Sequence, residues 1–429
     1  MNIWLITIGE PLPIKNKNVR LLRCGLLAEE LISRGHIVVW WSSTFNHSNK
    51  KHHLYHDKKI NLIGNYYLYL LHTIGYKKNF SFNRYINHIA LALKFAIHSR
   101  KEPPPDILLC SIPTPEFGIA AIRYGKKHNV PVVVDIRDMW PDIYLSRIPF
   151  YLRWLAKPLM VMMLKQIRYV CKGAKAIIGI TEGYVKWGLE YAGRDATVFD
   201  KYFPLGYCDK APSNKDLKKG FSFWELHGIK PDNDEFIICL ISNFVRQLEL
   251  ETVIEVARRL YKADRKVRFV FCGSGEAIVY FKKLSIGCKN IVFTGWIERP
   301  EIYTIMKMAH AGIAPYKSTK DFVISIPNKA IEYMSAGLPI ISSLQGTLKE
   351  VLSATGAGLT YENNNPEELF QIVCHLYDNP EKLKIMSHNS YKLFKNNYSG
   401  EIVYPSMCDY LVQVADSNCQ RKNDMYFNL

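Results

Sequence analysis

The sequence predicts an α/β protein built from two doubly wound parallel sheets, and three observations predict it. Short apolar runs of strand length alternate with stretches of helical periodicity along almost the whole chain. The alternation occurs twice, interrupted at 206–234 by residues rich in charge, Pro, Gly and Asn that lack apolar periodicity. The length, 429 residues, exceeds what a single core sustains.

The first series opens with the apolar run NIWLITI (2–8), which Gly9 ends, and helical spacing follows from Val19 to Ser33. The run IVVWWSS (37–43) completes a strand–helix–strand unit. Its first loop therefore lies at the carboxyl end of a strand, the edge where open parallel sheets bind ligands. Glu10, Lys15, Lys17 and Arg20 stand in that loop, either placed for chemistry or simply solvated. His47, His52, His53 and His56 lack metal-ligand spacing and a carboxylate pair, so they read as a mobile basic loop. Two further apolar runs and a helix from Phe82 to Arg100 lead to the stiff break Pro103–Pro105. Then come strand 107–111, helix 115–128, strand 131–136 and the loop RDMWPD (137–142), which carries Asp138 and Asp142 just beyond Asp135. From Arg147 to Lys175 seven cations mix with aromatic residues and a Leu/Met/Val core. That pattern suits a helix lying in a membrane interface, with Arg147, Arg153, Trp154 and Lys157 at the surface, and equally a helix packed on the sheet. Strand 176–180 and a helix from Glu182 bring the first domain to its end near residue 205.

The second series runs strand 236–242, helix 249–262, strand 267–273, helix 275–285, strand 291–295, helix 299–309, strand 311–316 and strand 339–343. Helices follow at 366–378, 380–396 and 401–415, then a polar tail expected to fray. Between the last two strands lies Ser325–Pro339, SIPNKAIEYMSAGLP. Pro327 suits the first turn of a helix that Gly337-Leu338-Pro339 stops about three turns on. The free N–H groups of that turn and Lys329 would suit a phosphate, and Glu332 would accept from ribose hydroxyls. A capped amphipathic helix with a solvated Lys/Glu pair has the same spacing.

Composition narrows the class without choosing the substrate. Apolar residues make up 48% and aromatic residues 13% of the chain, which excludes a disordered protein. No apolar run reaches the roughly 18 residues that span a bilayer, and the N-terminus lacks the marks of a signal peptide, so a cytoplasmic location is expected. The ten cysteines are scattered without a CxxC and read as reduced core residues, so no metal site is expected. The net charge is +17, of which residues 1–205 carry +15 (29 Lys/Arg against 14 Asp/Glu). So basic a half suits an anionic membrane surface, a phosphorylated partner or nucleic acid.

The motifs CGSGE (272–276), FTGWIERPEIYTIMKMAHAGIAPY (293–316) and PNKAIEYMSAGLPIISS followed by GTLKEVL closely resemble the family 4 glycosyltransferases of the two-domain fold called GT-B. In the first half, ITIGEPLPIKNKNVRLLRCGLLAEELISRGHIVVWWSSTFNHSNK and DIRDMWPD resemble bacterial O-antigen and capsule assembly members of that family. The resemblance spans nearly the whole chain. It implies two Rossmann-like domains facing across a cleft, with residues 1–205 binding the acceptor at a membrane and residues 206–400 binding a nucleotide-sugar donor. A C-terminal helix at about 401–415 would pack back onto the first. It further implies Glu332 on the ribose, Lys329 and the turn Ser325–Asn328 by the diphosphate and sugar, and Arg246 on phosphate. Gly273, Gly275, Trp296 and Ile297 would flank the nucleobase, Gly9 and Glu10 would approach the diphosphate or acceptor, and Asp138 would lie near the reacting carbon.

The sequence also departs from the family pattern. Ile324 stands where the first of two glutamates would be, and Asp321, eleven residues before Glu332, could replace it only with a different loop. Arg137 and Asp138 occupy the place of a histidine in the first domain. In FVRQLELE, after the second domain's first strand, Arg246 is the cation that remains. Cations and helix-terminal N–H groups stabilise a leaving nucleoside diphosphate without metal, and no DxD is present where one is expected. Asp138 either orients the acceptor hydroxyl or caps the following turn. The expectation is a retaining, metal-independent transferase without cofactor at the inner face of the cytoplasmic membrane. It would move a hexose or N-acetylhexosamine, with UDP the preferred nucleotide, onto a polyprenyl diphosphate-linked saccharide. A nucleotide-sugar epimerase of the same shape is the alternative enzyme. A nucleic-acid-binding protein is disfavoured because no reading motif accompanies the charge.

Overall fold

The computed structural model describes every residue except 15–18, 79–80, 144–152, 232–233 and 428–429, and omits the side chains of Arg153, Leu155, Ala156 and residues 419–427. The chain forms two compact units, one of Met1–Pro204 with the segment from Val403 onward, the other of Leu205–Ile402.

The first unit contains β1 (Asn2–Ile6), β2 (Ile37–Ser43), β3 (Phe45–Asn46), β4 (Lys51–His52), β5 (Lys58–Ile63), β6 (Tyr66–Leu71), β7 (Ile107–Ile112), β8 (Val132–Ile136), β9 (Ala176–Gly179) and β10 (Lys201–Tyr202). Eight of these form one sheet in the order β10-β9-β8-β7-β1-β2-β6-β5, and β3 pairs with β4. The chain order reverses beside β1, where Ile3 lies between Val38 of β2 and Ile107 of β7 in parallel register. Ile3, Trp4, Leu5 and Ile6 are all buried, as a central parallel strand covered on both faces requires. One edge departs from the all-parallel expectation, because β5 runs antiparallel to β6. Two residues, Gly64 with φ +52° and Asn65, join them, and so short a link permits only a hairpin. The histidine segment is likewise ordered, with Thr44 Oγ1 within 3.1 Å of Nδ1 of both His52 and His72, and His47 Nδ1 2.7 Å from Tyr76 Oη.

The first helix begins at Arg23 rather than Val19, and its first residue is its most constrained. Arg23 lies within the buried face of that helix, and its guanidinium is met bidentately by Asp135 of β8, Nε to Oδ2 at 3.0 Å and Nη2 to Oδ1 at 3.1 Å. Its Nη1 donates to the carbonyls of Phe203 and Pro204, where the first stretch of this unit ends. The final helix, Gly400–Phe427, runs on into the polar tail expected to fray, and Val403, Tyr404, Met407, Tyr410 and Leu411 complete the core on the same face.

The second unit contains β11 (Phe236–Ile241), β12 (Val267–Cys272), β13 (Ile291–Gly295), β14 (Ala311–Ala314), β15 (Ile340–Ser342) and β16 (Gly358–Thr360), all parallel in the order β13-β12-β11-β14-β15-β16. Its chain order reverses between β11 and β14. The stretch 206–234, which lacks apolar periodicity and reads as a linker or at least a boundary, directly follows the division of the two units at Leu205 but is not irregular throughout. Asn214–Leu226 is a helix whose Ser213 cap accepts from the Asp216 N–H. Its Trp224 is fully buried and donates from Nε1 to Glu301 O and Thr304 Oγ1 at 3.0 and 2.9 Å. Gly220 allows the approach, since a Cβ there would lie 2.6 Å from Thr304 Oγ1. The single aromatic stripe of this helix, Phe221 and Trp224, is too narrow to register as a period among its lysines.

Two expectations follow for stability. Trp224→Ala should cost about 3–5 kcal/mol in chemical denaturation. Asp135→Ala, which leaves the Arg23 charge buried without its partner, should cost about the same. Burial opposes the Asp135 charge, but the guanidinium groups of Arg23 and Arg137 hold its carboxyl below the usual range. The stability it lends is therefore complete above about pH 4 and lost as acidification protonates it, so the variant's urea midpoint should vary less with pH in that window than the wild type's.

Candidate functional site

In the second unit the carboxyl ends of the strands bring the expected donor residues to one edge. The loop after β11 (242–249) and the loop after β14 (315–319) flank the point where the strand order reverses, the place such sheets bind ligands. They are paired to each other: Glu249 N–H donates to Pro315 O at 2.7 Å and Lys317 N–H to Gln247 O at 2.9 Å. Arg246 lies exposed on the first of these loops. The glycine loop after β12 packs directly under it. A Cβ on Gly273 would lie 1.8 Å from Ser242 O, one on Gly275 2.3 Å from Phe244 O, and both residues have positive φ. Only glycine fits there. Gly273 N–H donates to Gly295 O, which sets the following Trp296 exposed and Ile297 buried beside the same edge.

The stretch Ser325–Pro339 follows β14 and a short helical turn at Lys320–Val323. Pro327 is the N-cap rather than the first helical residue, and the helix Asn328–Ser335 is just over two turns long, shorter than expected because Gly337 already adopts φ +71°. Tyr333 seats the helix: its hydroxyl accepts from Ile241 N–H at 3.0 Å, and its ring occupies the space above Gly312 where a Cβ would come within 2.3 Å. Glu332 is 2% exposed and accepts from Lys329 Nζ at 3.0 Å. Ser325 is buried with its hydroxyl on Phe322 O, and Asn328 is exposed at the helix start. Ile324 caps the preceding turn, and Asp321 accepts from Thr319 Oγ1 at 2.6 Å. This edge thus assembles a buried carboxylate, an adjacent ammonium and a helix N-terminus beside two glycine-dependent loops, an arrangement suited to hydroxyls and to phosphate.

In the first unit the loop after β1 and the loop after β8 meet through charge. Gly9, at φ +85°, turns the chain so that the Glu10 carboxylate accepts from Cys24 N–H at 3.0 and 3.2 Å, serving the helix start that Leu22 leaves without a side-chain cap. Arg137 bridges the same carboxylate to Asp135, donating Nη1 to Glu10 Oε1 and Nε to Asp135 Oδ2, the latter at 2.6 Å. Burial opposes the Arg137 charge, yet Asp135 and Glu10 raise its affinity for the proton. Its Nη2 is buried without a hydrogen-bond partner. Burial, seconded by Glu10, also pushes the Cys24 thiol up, so it carries no nucleophile. Asp142 accepts from Trp187 Nε1 and Tyr191 Oη, both at 2.7 Å, and Asp138 stands half-buried between these anchored acids.

Of the surface residues, Trp154 and Lys157 are exposed on the helix Arg153–Gly173, while Arg147 and the Arg153 side chain lie outside the described residues. Among the described residues no helix is long and apolar enough to cross a membrane. Sequence reasoning missed Arg23 and Glu249. The signal for Arg23 was a cation at the start of an otherwise apolar helical run. Glu249 is buried, accepting from Thr252 Oγ1 and from Asn364 N–H, and nothing distinguishes it from the other acids of FVRQLELE.

Residues 223–393 match the family described as glycosyl transferases group 1, and residues 24–198 match glycosyltransferase family 4. Among curated relatives, alpha-monoglucosyldiacylglycerol synthase of Acholeplasma laidlawii is 23% identical over 72% of this chain and 75% of its own. The Arabidopsis thaliana sulfoquinovosyl transferase is 26% identical over 63% of this chain and 49% of its own. Among solved structures, sucrose-phosphate synthase of Thermosynechococcus elongatus superposes with a TM-score of 0.70 at 14% identity, covering 97% of this chain and 99% of that one. The Anabaena protein HepE, solved in complex with UDP and glucose, superposes at 0.63 with 12% identity over 96% and 100%. With the family matched in both halves and the fold shared along the whole length, the chain belongs to the family 4 glycosyltransferases and is an enzyme of the GT-B fold.

Proposed function

We propose that this glycosyltransferase transfers a hexose or N-acetylhexosamine from a UDP-sugar to a polyprenyl diphosphate-linked saccharide at an anionic membrane surface, in surface polysaccharide assembly. The observation that carries the donor half of this reading is the buried Glu332 carboxylate paired with Lys329 at the start of a helix beside the reversal of strand order. Glu332 holds the ribose hydroxyls, and Lys329, Asn328, Ser325 and Arg246 hold the diphosphate. Gly273, Gly275 and Ile297 border the base. Uridine is favoured by the HepE structures, which contain UDP or UDP-glucose. A lipid-linked acceptor is favoured by the charge of the first half, by the glycolipid product named for the Acholeplasma relative, and by structural likeness to WaaG, a glycosyltransferase involved in lipopolysaccharide biosynthesis.

Leaving-group charge is stabilised by Lys329, Arg246 and the helix N–H groups, so the reaction proceeds without metal or cofactor. In the first unit Asp138 orients the acceptor hydroxyl. Glu10 and Arg137 form the fixed floor beside it, and the remaining N–H of Arg137 faces an acceptor oxygen or phosphate. Gly9 keeps that floor close to the β1 edge.

Three outcomes are expected. Incubation with labelled UDP-sugars and a polyprenyl diphosphate saccharide lengthens the acceptor in the presence of a chelator; no transfer across a full donor panel would overturn the reading. Glu332→Ala weakens UDP binding by calorimetry about 10- to 100-fold, the loss of a charged hydrogen-bond acceptor, with an unchanged melting profile. Asp138→Asn lowers kcat about 100-fold while the UDP affinity stays at the wild-type value, and equal loss of both would place Asp138 in the scaffold instead.

A further inference from the structure

A groove of about 420 Å³ opens in the first unit between the helices Phe82–His98, Pro115–His128 and Arg153–Gly173. Its walls are apolar, including Ile89, Ala92, Leu93, Ala96 and Ile119, and its rim carries Arg100, Arg123, Lys127 and His128. Beside it the first helix exposes an unbroken apolar stripe: Phe82, Ile86, Leu93 and Ile97 follow at helical spacing, with Leu93 61% exposed. Trp154, Leu159, Met162 and Tyr169 are exposed on the third helix. Neighbouring apolar stripes of this extent mark a surface that meets a partner.

We propose that this groove holds an acyl chain of an anionic phospholipid, with the lipid phosphate on Arg100, Arg123 and Lys127. Charge selects the occupant. Lys127 and His128 end a helix whose dipole already favours cations, but Arg100 comes from a separate turn, Ser99–Lys101, and Arg123 lies a turn earlier, so their convergence on one rim is not helix capping. A second copy of the chain is disfavoured, because a two-fold contact would bring these cations face to face. Its lining carries acceptors: Glu116 Oε2, 3.7 Å from His88 Nδ1, and Gln166 Oε1 are buried there without hydrogen-bond partners. They exclude a phosphate from the depth of the groove and leave it to the rim. The chain then lies among Leu93, Ala96 and Ile119 while the exposed stripes rest among neighbouring lipids. This rests on the membrane-surface reading above and is independent of the donor.

The test uses the full chain and phosphatidylcholine vesicles with or without phosphatidylglycerol, part of it carrying a photoreactive diazirine at an acyl terminus. Wild-type protein should float with the anionic vesicles and be labelled on peptides from 82–100 and 115–128. Arg100→Gln/Arg123→Gln/Lys127→Gln should lower partitioning about 100-fold, as three cations near an anionic leaflet imply. Ala96→Trp fills the groove and should abolish the label while flotation persists through the outer stripes, and Ala92→Phe should act likewise. Labelling confined to other segments, or persisting in both filled variants, would overturn the proposal. So would displacement of the label by an equimolar polyprenyl phosphate, which would make the groove an acceptor site. Transfer to a short-chain acceptor in detergent, measured on the same variants, should stay at the wild-type rate. Its absence in the wild type as well would count against the proposed reaction and leave the lipid result standing.

Discussion

Two arginines and two carboxylates organise the first unit. Arg23 and Arg137 share Asp135, and Arg137 carries the charge on to Glu10, which in turn serves the start of the helix that Arg23 begins. The network closes a circuit through β8, the loop after β1 and the first helix, and Arg23 extends it to the carbonyls where the first stretch of the unit ends. Burying such charges is costly, and it is tolerated because nearly every donor finds an acceptor. The exception, Nη2 of Arg137, is a buried donor beside the loop of Asp138. Rigidity and the proposed chemistry are thus joined: the residues that hold the two loops together are the ones proposed to meet an acceptor.

The second unit solves the same problem with backbone instead of charge. The carboxyl edge of its strands is made from glycines pressed against carbonyls, a tyrosine seated over a glycine in a strand, and loops cross-paired by main-chain hydrogen bonds. Its near-neutral balance, +3 (25 Lys/Arg against 22 Asp/Glu over residues 205–402) against +14 for the first unit (31 against 17), agrees with the proposed division, in which a nucleotide site needs a few placed cations and a surface meeting an anionic leaflet needs many.

Most of the strands were legible in the sequence because parallel strands buried on both faces read as unbroken apolar runs, as IVVWWSS and FIICLIS do. Strand order was not, because it depends on which runs pair across long separations, and the antiparallel edge at β5 hinged on the two residues Gly64 and Asn65. The helix at Asn214–Leu226 escaped notice because one tryptophan carries most of its burial. At the edge proposed to hold the donor, Glu332 and the glycine loop were visible as motif residues. The pairing that fixes Arg246's loop to β14's loop was not, since it is made entirely by backbone atoms. Arg23 and Glu249 show the general limit: a buried charge is written as one letter, and at least one of its partners lies more than a hundred residues away.

The return of the chain at Val403 changes the order in which this protein can be completed. The sheet of the first unit emerges early in synthesis, but one of its faces waits for Val403, Tyr404, Met407 and Leu411, which arrive only after the whole second unit has been made. The second unit, contiguous from Leu205 to Ile402, is therefore the first that can finish folding, the reverse of the usual N-terminal-first sequence. Until then the nascent first unit presents an open apolar face, the kind of surface that chaperones cover.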